Sequence, residues 1–235
     1  MHLQILYSDD DFVAINKPSG LLVHRTPLDR HATVFALQLL RDQIDHEVFP
    51  CHRLDRPTSG VLLFALNLEA LRFAQGQFAE RHAKKIYHAV VRGWAEVQGI
   101  IEYPLRSEDN PSTSKDSRTD YTCVRQSEVD QPIGNYSKAR FSLVELSPLT
   151  GRKHQLRRHL AHIRHPIIGD TRHGDGAQNK FIREHFNCQR LLLHASQLSI
   201  KHPSGVGSID IRARYQSTFE DLVGQLNLSI PEPPS

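Results

Sequence analysis

Residues Val61 to Leu66 read VLLFAL, six apolar residues in unbroken succession after Gly60. A run of strand length with no polar alternation, bounded by a glycine, predicts a buried strand within a central sheet. The residues before it are opposite in character. HRLDRPTSG, His52 to Gly60, sets one carboxylate, Asp55, between Arg53 and Arg56, and then turns through Pro-Thr-Ser-Gly. The chain therefore presents a charged turn at the mouth of a buried strand.

Other segments fit around that strand. ILYSDDDFVAI predicts strand, acidic turn, strand, with apolar residues at Ile5 to Tyr7 and Phe12 to Ile15. Asn16 to Gly20 is a turn by composition and Leu21 to Val23 a short extended piece. Thr33 is placed to cap a helix carrying Val34, Leu37, Leu40 or Leu39, and Ile44. Asn67 is placed to cap a second, with Leu68, Leu71 and Phe78 on one face. KKIYHAVVRG, Lys84 to Gly93, has the alternation and β-branched content of a strand. Residues 106–138 turn polar and predict loops around one edge strand, Thr119 to Val124. Ala139 to Leu146 alternates again. KHQLRRHLAHIRHP spaces Leu156, Leu160 and Ile163 for a helix ended by Pro166. Leu191 to Leu193 and Leu198 to Ile200 predict strands, and residues 218–226 a short helix. Strands outnumber helices and follow one another directly. This predicts an α+β chain with a central, largely antiparallel (mixed) β-sheet flanked by helices and loops, and no βαβ repeat. No internal repeat or linker divides it, so residues 1–235 are expected to form a single domain, with 230–235 (IPEPPS) a frayed tail.

Charge narrows the partners. The net charge is only +3, yet residues 1–50 carry 4 Lys/Arg against 7 Asp/Glu, whereas residues 151–194 carry 9 against 3, a local excess of +6. Such an excess, with histidines beside it, suits a polyanion. No apolar run approaches the roughly 20 residues of a membrane helix, and the N-terminus has no secretory pattern. Three dispersed cysteines, Cys51, Cys123 and Cys188, point to reduced thiols in the cytoplasm. At this length a chain buries roughly 70% of its unfolded surface, so it needs no disulfide or structural metal to fold.

Several chemistries lack their motifs. NKPSG has no P-loop spacing, no GxGxxG occurs, and no Gly-x-Ser-x-Gly elbow appears, so no nucleotide cofactor is expected. His154, His159, His162 and His165 invite a metal, but no acid lies between Arg152 and Gly169 and the neighbouring arginines repel a cation. That set suits backbone or phosphate partners better than metal. Asp55, crowded by arginines, fits a permanent anion or nucleophile rather than a general acid. A turn cap or a structural ion pair is the plain alternative.

The order and spacing of HRLDRPTSG, KKIYHAVVRG, LTGRKHQLRRHLAHIRHPIIGD and LLLHASQLSIKHPSG, with NKPSGLLVH ahead of them, resemble the RluA-type family of pseudouridine synthases over about Ile5 to Arg212. HRTPLDR after the first turn, and no S4-like domain ahead of the motifs, are most similar to the members of that family acting on tRNA. The resemblance implies the pseudouridine synthase fold and an isomerase: the N1 glycosidic bond of a uridine breaks, the base turns, and C5 joins the sugar. It implies a target in the T-stem, position 65 in the usual tRNA convention. Asp55 would be the nucleophile, attacking the sugar or promoting a glycal-type intermediate. Tyr87 would stack on the target base and handle its C5 proton, Arg157 would pair with Asp55, and Leu156 would wall the pocket. Arg53, Arg56, Arg152 and Lys153 would contact RNA, and His52 would support the turn. A uridine in a stem must be flipped out at a cost of a few kcal/mol, which phosphate contacts from the basic segment would offset. The reaction conserves atoms and oxidation state, so no cofactor is expected; a cytoplasmic monomer is. The rivals are an enzyme of the same family acting on ribosomal RNA, an RNA-binding or chaperone protein with secondary catalysis, and a histidine-metal nuclease.

Overall fold

The computed structural model describes residues 1–24, 33–107, 110, 112–134, 136–205 and 207–229. The tail expected at 230–235 and most of the HRTPLDR segment lie outside the described residues. In chain order the elements are β1 (Ile5–Ser8), β2 (Phe12–Lys17), α1 (Ala36–Ile44), β3 (Phe49–Pro50), β4 (Ser59–Ala65) and α2 (Leu68–Ala79). There follow β5 (Lys84–Arg92), β6 (Gln98–Glu102), β7 (Leu105–Arg106), β8 (Ser114–Lys115), β9 (Arg118–Val129), β10 (Ala139–Pro148), α3 (Gln155–His162) and α4 (Gly176–Phe186). The chain closes with β11 (Leu193–Lys201), β12 (Ser208–Arg212) and α5 (Ser217–Gln225). It divides into two compact units, Met1–Lys85 with His194–Tyr215, and Ile86–Leu193 with Gln216–Ser235.

In the first unit β2 pairs antiparallel with β4 from Phe12↔Ala65 to Lys17↔Gly60, β1 flanks β2, and β3 adds to β4. β11 runs parallel to β4 at His194↔Ser59 and Ala195↔Gly60, and β12 returns antiparallel on β11. Every residue of β2 and β4 is buried, so the apolar run does form the inner strand its composition demands. Gly60 makes the parallel pairing possible. Its φ is +109°, and a Cβ there would fall 2.1 Å from the Ala195 carbonyl oxygen, so only glycine fits. One face of this sheet gathers Phe12, Ala14, Leu63, Leu198, Ile200 and Ile211 with Ala70 and Ala74 of α2.

In the second unit β5, β10, β9 and β6 form an antiparallel series, and β7 and β8 form a separate hairpin. Phe141, Leu143, Val144, Leu160, Phe181 and Phe219 are buried there. Both units are thus mixed or antiparallel sheet with helices, the α+β class expected.

Several local expectations are corrected. α1 starts at Ala36, not after Thr33: its first N–H groups go to the carbonyls of Leu22 and Val23, so backbone supplies the cap that Thr33 was expected to give. Asn67 does cap α2, accepting from the Ala70 N–H at 2.8 Å; of the predicted face Leu71 and Phe78 pack partly buried against the core beside the buried Ala70, Ala74 and Gln77, but Leu68 is exposed. β9 is not an edge strand. It lies between β10 and β6, and its polar outer residues hid its length. α4 and β12 were not anticipated, and β11 is one strand rather than two pieces. Among the described residues no helix is long and apolar enough to cross a membrane.

Candidate active site

The first unit builds the Asp55 turn on a buried cation. Lys17 ends β2 and is fully buried. Its ammonium donates to the carbonyls of Pro18 at 2.8 Å, Leu21 at 2.8 Å and Arg56 at 3.1 Å. A lysine has three N–H donors, and here each meets a main-chain acceptor. The same two loops are stitched further. Gly20 N–H donates to the Arg56 carbonyl at 2.9 Å, Arg56 Nε to the Gly20 carbonyl at 3.0 Å, and the Ser19 hydroxyl to the Pro57 carbonyl at 2.7 Å. Thr58 N–H closes the turn on the Asp55 carbonyl at 3.0 Å. Asp55 is half-buried, with Arg53 and Arg56 exposed on either side. The NKPSG turn therefore acts as a clamp on the residue after Asp55.

Behind the turn the sheet is equally fixed. His52 Nε2 accepts from the Leu63 N–H at 3.1 Å, and its ring packs on Phe78 with centroids 5.0 Å apart. Burial, with the Lys85 ammonium nearby, pushes the His52 imidazole down to about 4, so it is neutral and able to accept that bond. Burial also lowers Lys85 to about 8. At the start of β4 the Ser59 hydroxyl and His194 Nδ1 are 2.8 Å apart, and His194 Nε2 lies 3.1 Å from the Ala213 carbonyl. Nε2 must carry the proton to donate there, so Ser59 donates to Nδ1.

The second unit holds the other expected residues. Tyr87 is half-buried on β5, opposite Leu146 of β10. Leu156 and Arg157 lie in the first turn of α3, at 7% and 5% exposure. That turn is fixed by Gln155, which the sequence reading left without a role. Gln155 Oε1 accepts from the Thr150 hydroxyl at 2.7 Å and the Arg152 N–H at 3.0 Å, and Nε2 donates to the Arg118 carbonyl at 2.9 Å. His154 ahead of it adopts a left-handed conformation, φ 54°, so the chain enters the helix at an angle. Arg152 is exposed, with Nε 3.3 Å from the Asp116 carbonyl. Lys153 is half-buried.

The histidines of this segment have protein partners. His159 is fully buried, with Nδ1 3.0 Å from the Thr119 hydroxyl and Nε2 2.9 Å from that of Ser117. His165 Nδ1 lies 2.8 Å from the Arg92 carbonyl. His154 Nδ1 and His173 Nε2 are 3.1 Å apart, and His162 stacks on Tyr103.

Within its unit Arg157 has a carboxylate the sequence reading did not supply. Its Nε donates to Asp170 Oδ2 at 2.7 Å and its Nη2 to Oδ1 at 2.8 Å. Burial alone would raise the Asp170 carboxyl. The Arg157 guanidinium and the N–H groups of His173 and Arg172 together outweigh it and hold the group below the usual carboxylate range. The available signal was the acid ending HPIIGD, but nothing in linear spacing links it to Arg157.

Comparison with known proteins shows what the chain is similar to. The model of the RNA pseudouridylate synthase family matches residues 11–162, a span holding Asp55, Tyr87 and Arg157. A tRNA pseudouridine synthase C from Vibrio cholerae is 48% identical over 232 residues, 95% of each chain. One from Yersinia pestis is 48% identical over 236 residues, 97% of this chain and 92% of that protein. Among solved structures, human RNA pseudouridylate synthase domain containing 4 superposes with a TM-score of 0.77 at 24% identity, covering 97% of this chain and 95% of its own. Human RNA pseudouridylate synthase domain containing 1 gives 0.72 at 26% identity, covering 99% and 97%. The former shows the fold, and the family model and the near-half identity carry the assignment: this chain belongs to the RNA pseudouridylate synthase family.

Proposed function

We propose that the chain is a tRNA pseudouridine synthase converting one uridine, position 65 in the T-stem, to pseudouridine. The observation that carries this reading is near-half identity across the whole length of proteins named for tRNA. Asp55 is the nucleophile that acts at the sugar once the base is flipped out. The N1–C1′ bond breaks, the detached base turns, and C5–C1′ forms. The proton on C5 leaves and N1 gains one, so the product is an isomer and no cofactor takes part. The clamp of Lys17 and the NKPSG turn supports this role, because a nucleophile must be held in place before substrate arrives. Tyr87 stacks on the flipped base and handles the C5 proton. Arg157 pairs with Asp55, and Leu156 walls the pocket. Arg53, Arg56, Arg152 and Lys153 contact RNA. The chain works as a single catalytic domain, as a monomer in the cytoplasm.

The test is a pseudouridine map of total RNA from cells with and without the gene. Loss of a single tRNA signal at position 65 supports the assignment. Loss of a ribosomal RNA signal with tRNA unchanged would move the chain to ribosomal RNA.

A further inference from the structure

Asp170 is bound by four donors. Besides the two bonds from Arg157, its Oδ1 accepts from the Arg172 and His173 N–H groups, each at 2.9 Å. Its side chain is 1% exposed and that of Arg157 6%. A carboxylate offers about two acceptor directions on each oxygen; here Oδ1 takes three donors and Oδ2 one. An acid so engaged and so deeply buried is out of a substrate's reach, so any part it plays is exerted through the groups that bind it. Two parallel bonds to one edge of a guanidinium fix both its place and its plane.

The backbone under Asp170 is clamped in turn. Gly169 has φ +79°, and a Cβ there would lie 1.9 Å from the Arg190 carbonyl oxygen. The Gly169 N–H donates to Asn179 Oδ1 at 2.7 Å, and Asn179 Nδ2 donates back to the Asp170 carbonyl at 2.9 Å. A Cβ on Gly174 would meet the same carbonyl oxygen at 2.0 Å. α4 therefore grips the strand of chain that carries Asp170, and Asp170 grips Arg157.

We propose that Asp170 is a positioning residue for uridine isomerisation, orienting Arg157 from a seat built by Gly169, Gly174 and Asn179. The inference rests on the reading of Arg157 as the partner of Asp55. Asp170→Asn keeps the shape but turns one acceptor into a donor facing the guanidinium, so Arg157 must rotate away. Misplacement by about 1 Å can cost on the order of 10²-fold in rate.

The experiment measures single-turnover pseudouridine formation on a transcribed tRNA by wild type, D170N, R157M and the double variant, with filter binding and thermal unfolding on the same preparations. D170N is expected to fall roughly 10- to 100-fold in rate, with the tRNA Kd within about twofold and the acid limb of its rate–pH profile moved to higher pH. The double variant should match R157M, because Asp170 has nothing left to position. D170N at the wild-type rate, or a double variant slower than R157M by the full D170N factor, overturns the inference. Should D170N alone fail to fold, the double variant, which leaves neither buried charge unpaired, decides by the same comparison. R157M at the wild-type rate would instead sink the reading of Arg157, whereas R157M slow beside an unimpaired D170N would sink only the role of Asp170.

Discussion

Asp55 and Arg157 are held in contrasting ways. The Asp55 turn is fixed by donors aimed at main-chain carbonyls, from the Lys17 ammonium, Arg56 Nε, the Gly20 N–H and the Ser19 hydroxyl. The Arg157 seat is a buried ion pair closed by one carboxylate. Carbonyls do not titrate and cannot be removed by changing a side chain, so the first seat depends on backbone geometry and one lysine. The second depends on formal charge, and loss of either partner removes the buried counter-charge that faces the other. A cation held by an acid gains direction through its fork.

The contrast can be broken at several points. Asp170→Asn should destabilise the second unit by about 3–5 kcal/mol, the scale for breaking a buried pair, measured by denaturant unfolding. Lys17→Met should cost about 3 kcal/mol, since it strips a donor from the buried Leu21 carbonyl and from the part-buried Pro18 and Arg56 carbonyls, at roughly 1–3 kcal/mol for each acceptor left without a partner. If the two seats are as different as described, pH separates them. The Asp170 carboxyl lies below the usual carboxylate range when folded. Its contribution is therefore complete above that range and is lost as pH falls through the lower folded value. Wild type minus D170N should shrink on acidification, and wild type minus K17M should not shrink with it. Equal acid dependence of both differences would remove the distinction.

Smaller effects sharpen the roles of the flanking residues. Tyr87→Ala should lose base capture worth roughly 1–3 kcal/mol, whereas Tyr87→Phe should still bind; slow turnover by the latter assigns the hydroxyl to proton handling, and normal turnover denies it a chemical part. Arg152→Ala should weaken tRNA binding for every sequence and shallow the salt slope by about one unit of log K per log salt. An unchanged slope would leave Arg152 as a tether to the Asp116 carbonyl.

The first seat was more legible than the second, for physical reasons. An uninterrupted apolar run declares a buried strand, and an acid between two arginines beside it stands out. Asn67 was readable as a cap because its side chain acts two or three residues away. Lys17 was not, since a lysine in a turn defaults to solvent and only the assembled loops present three carbonyls to it. Asp170 lies 13 residues from Arg157, beyond any local pattern, and pairing over such a distance is created by the fold. α4 did carry a signal in Asp175, which caps it through the Ala177 and Gln178 N–H groups, but its polar surface concealed the spacing of Phe181 and Ile182. β9 was legible only in part, as an edge strand over Thr119 to Val124, because it lies inside a series yet shows mostly polar, half-exposed side chains.

Asp55 carries the central claim. Asp55→Asn is nearly isosteric and leaves the backbone clamp of Lys17 intact, so the fold should survive. The measurement is tritium release from tRNA bearing 5-³H-uridine, run beside filter binding on the same preparation. The account predicts a loss of at least about 10³-fold, as for removal of a nucleophile, with binding kept within about twofold or slightly tightened by the loss of one negative charge. Release near the wild-type rate by a folded D55N protein would contradict it, and loss of binding together with turnover would make Asp55 a structural residue.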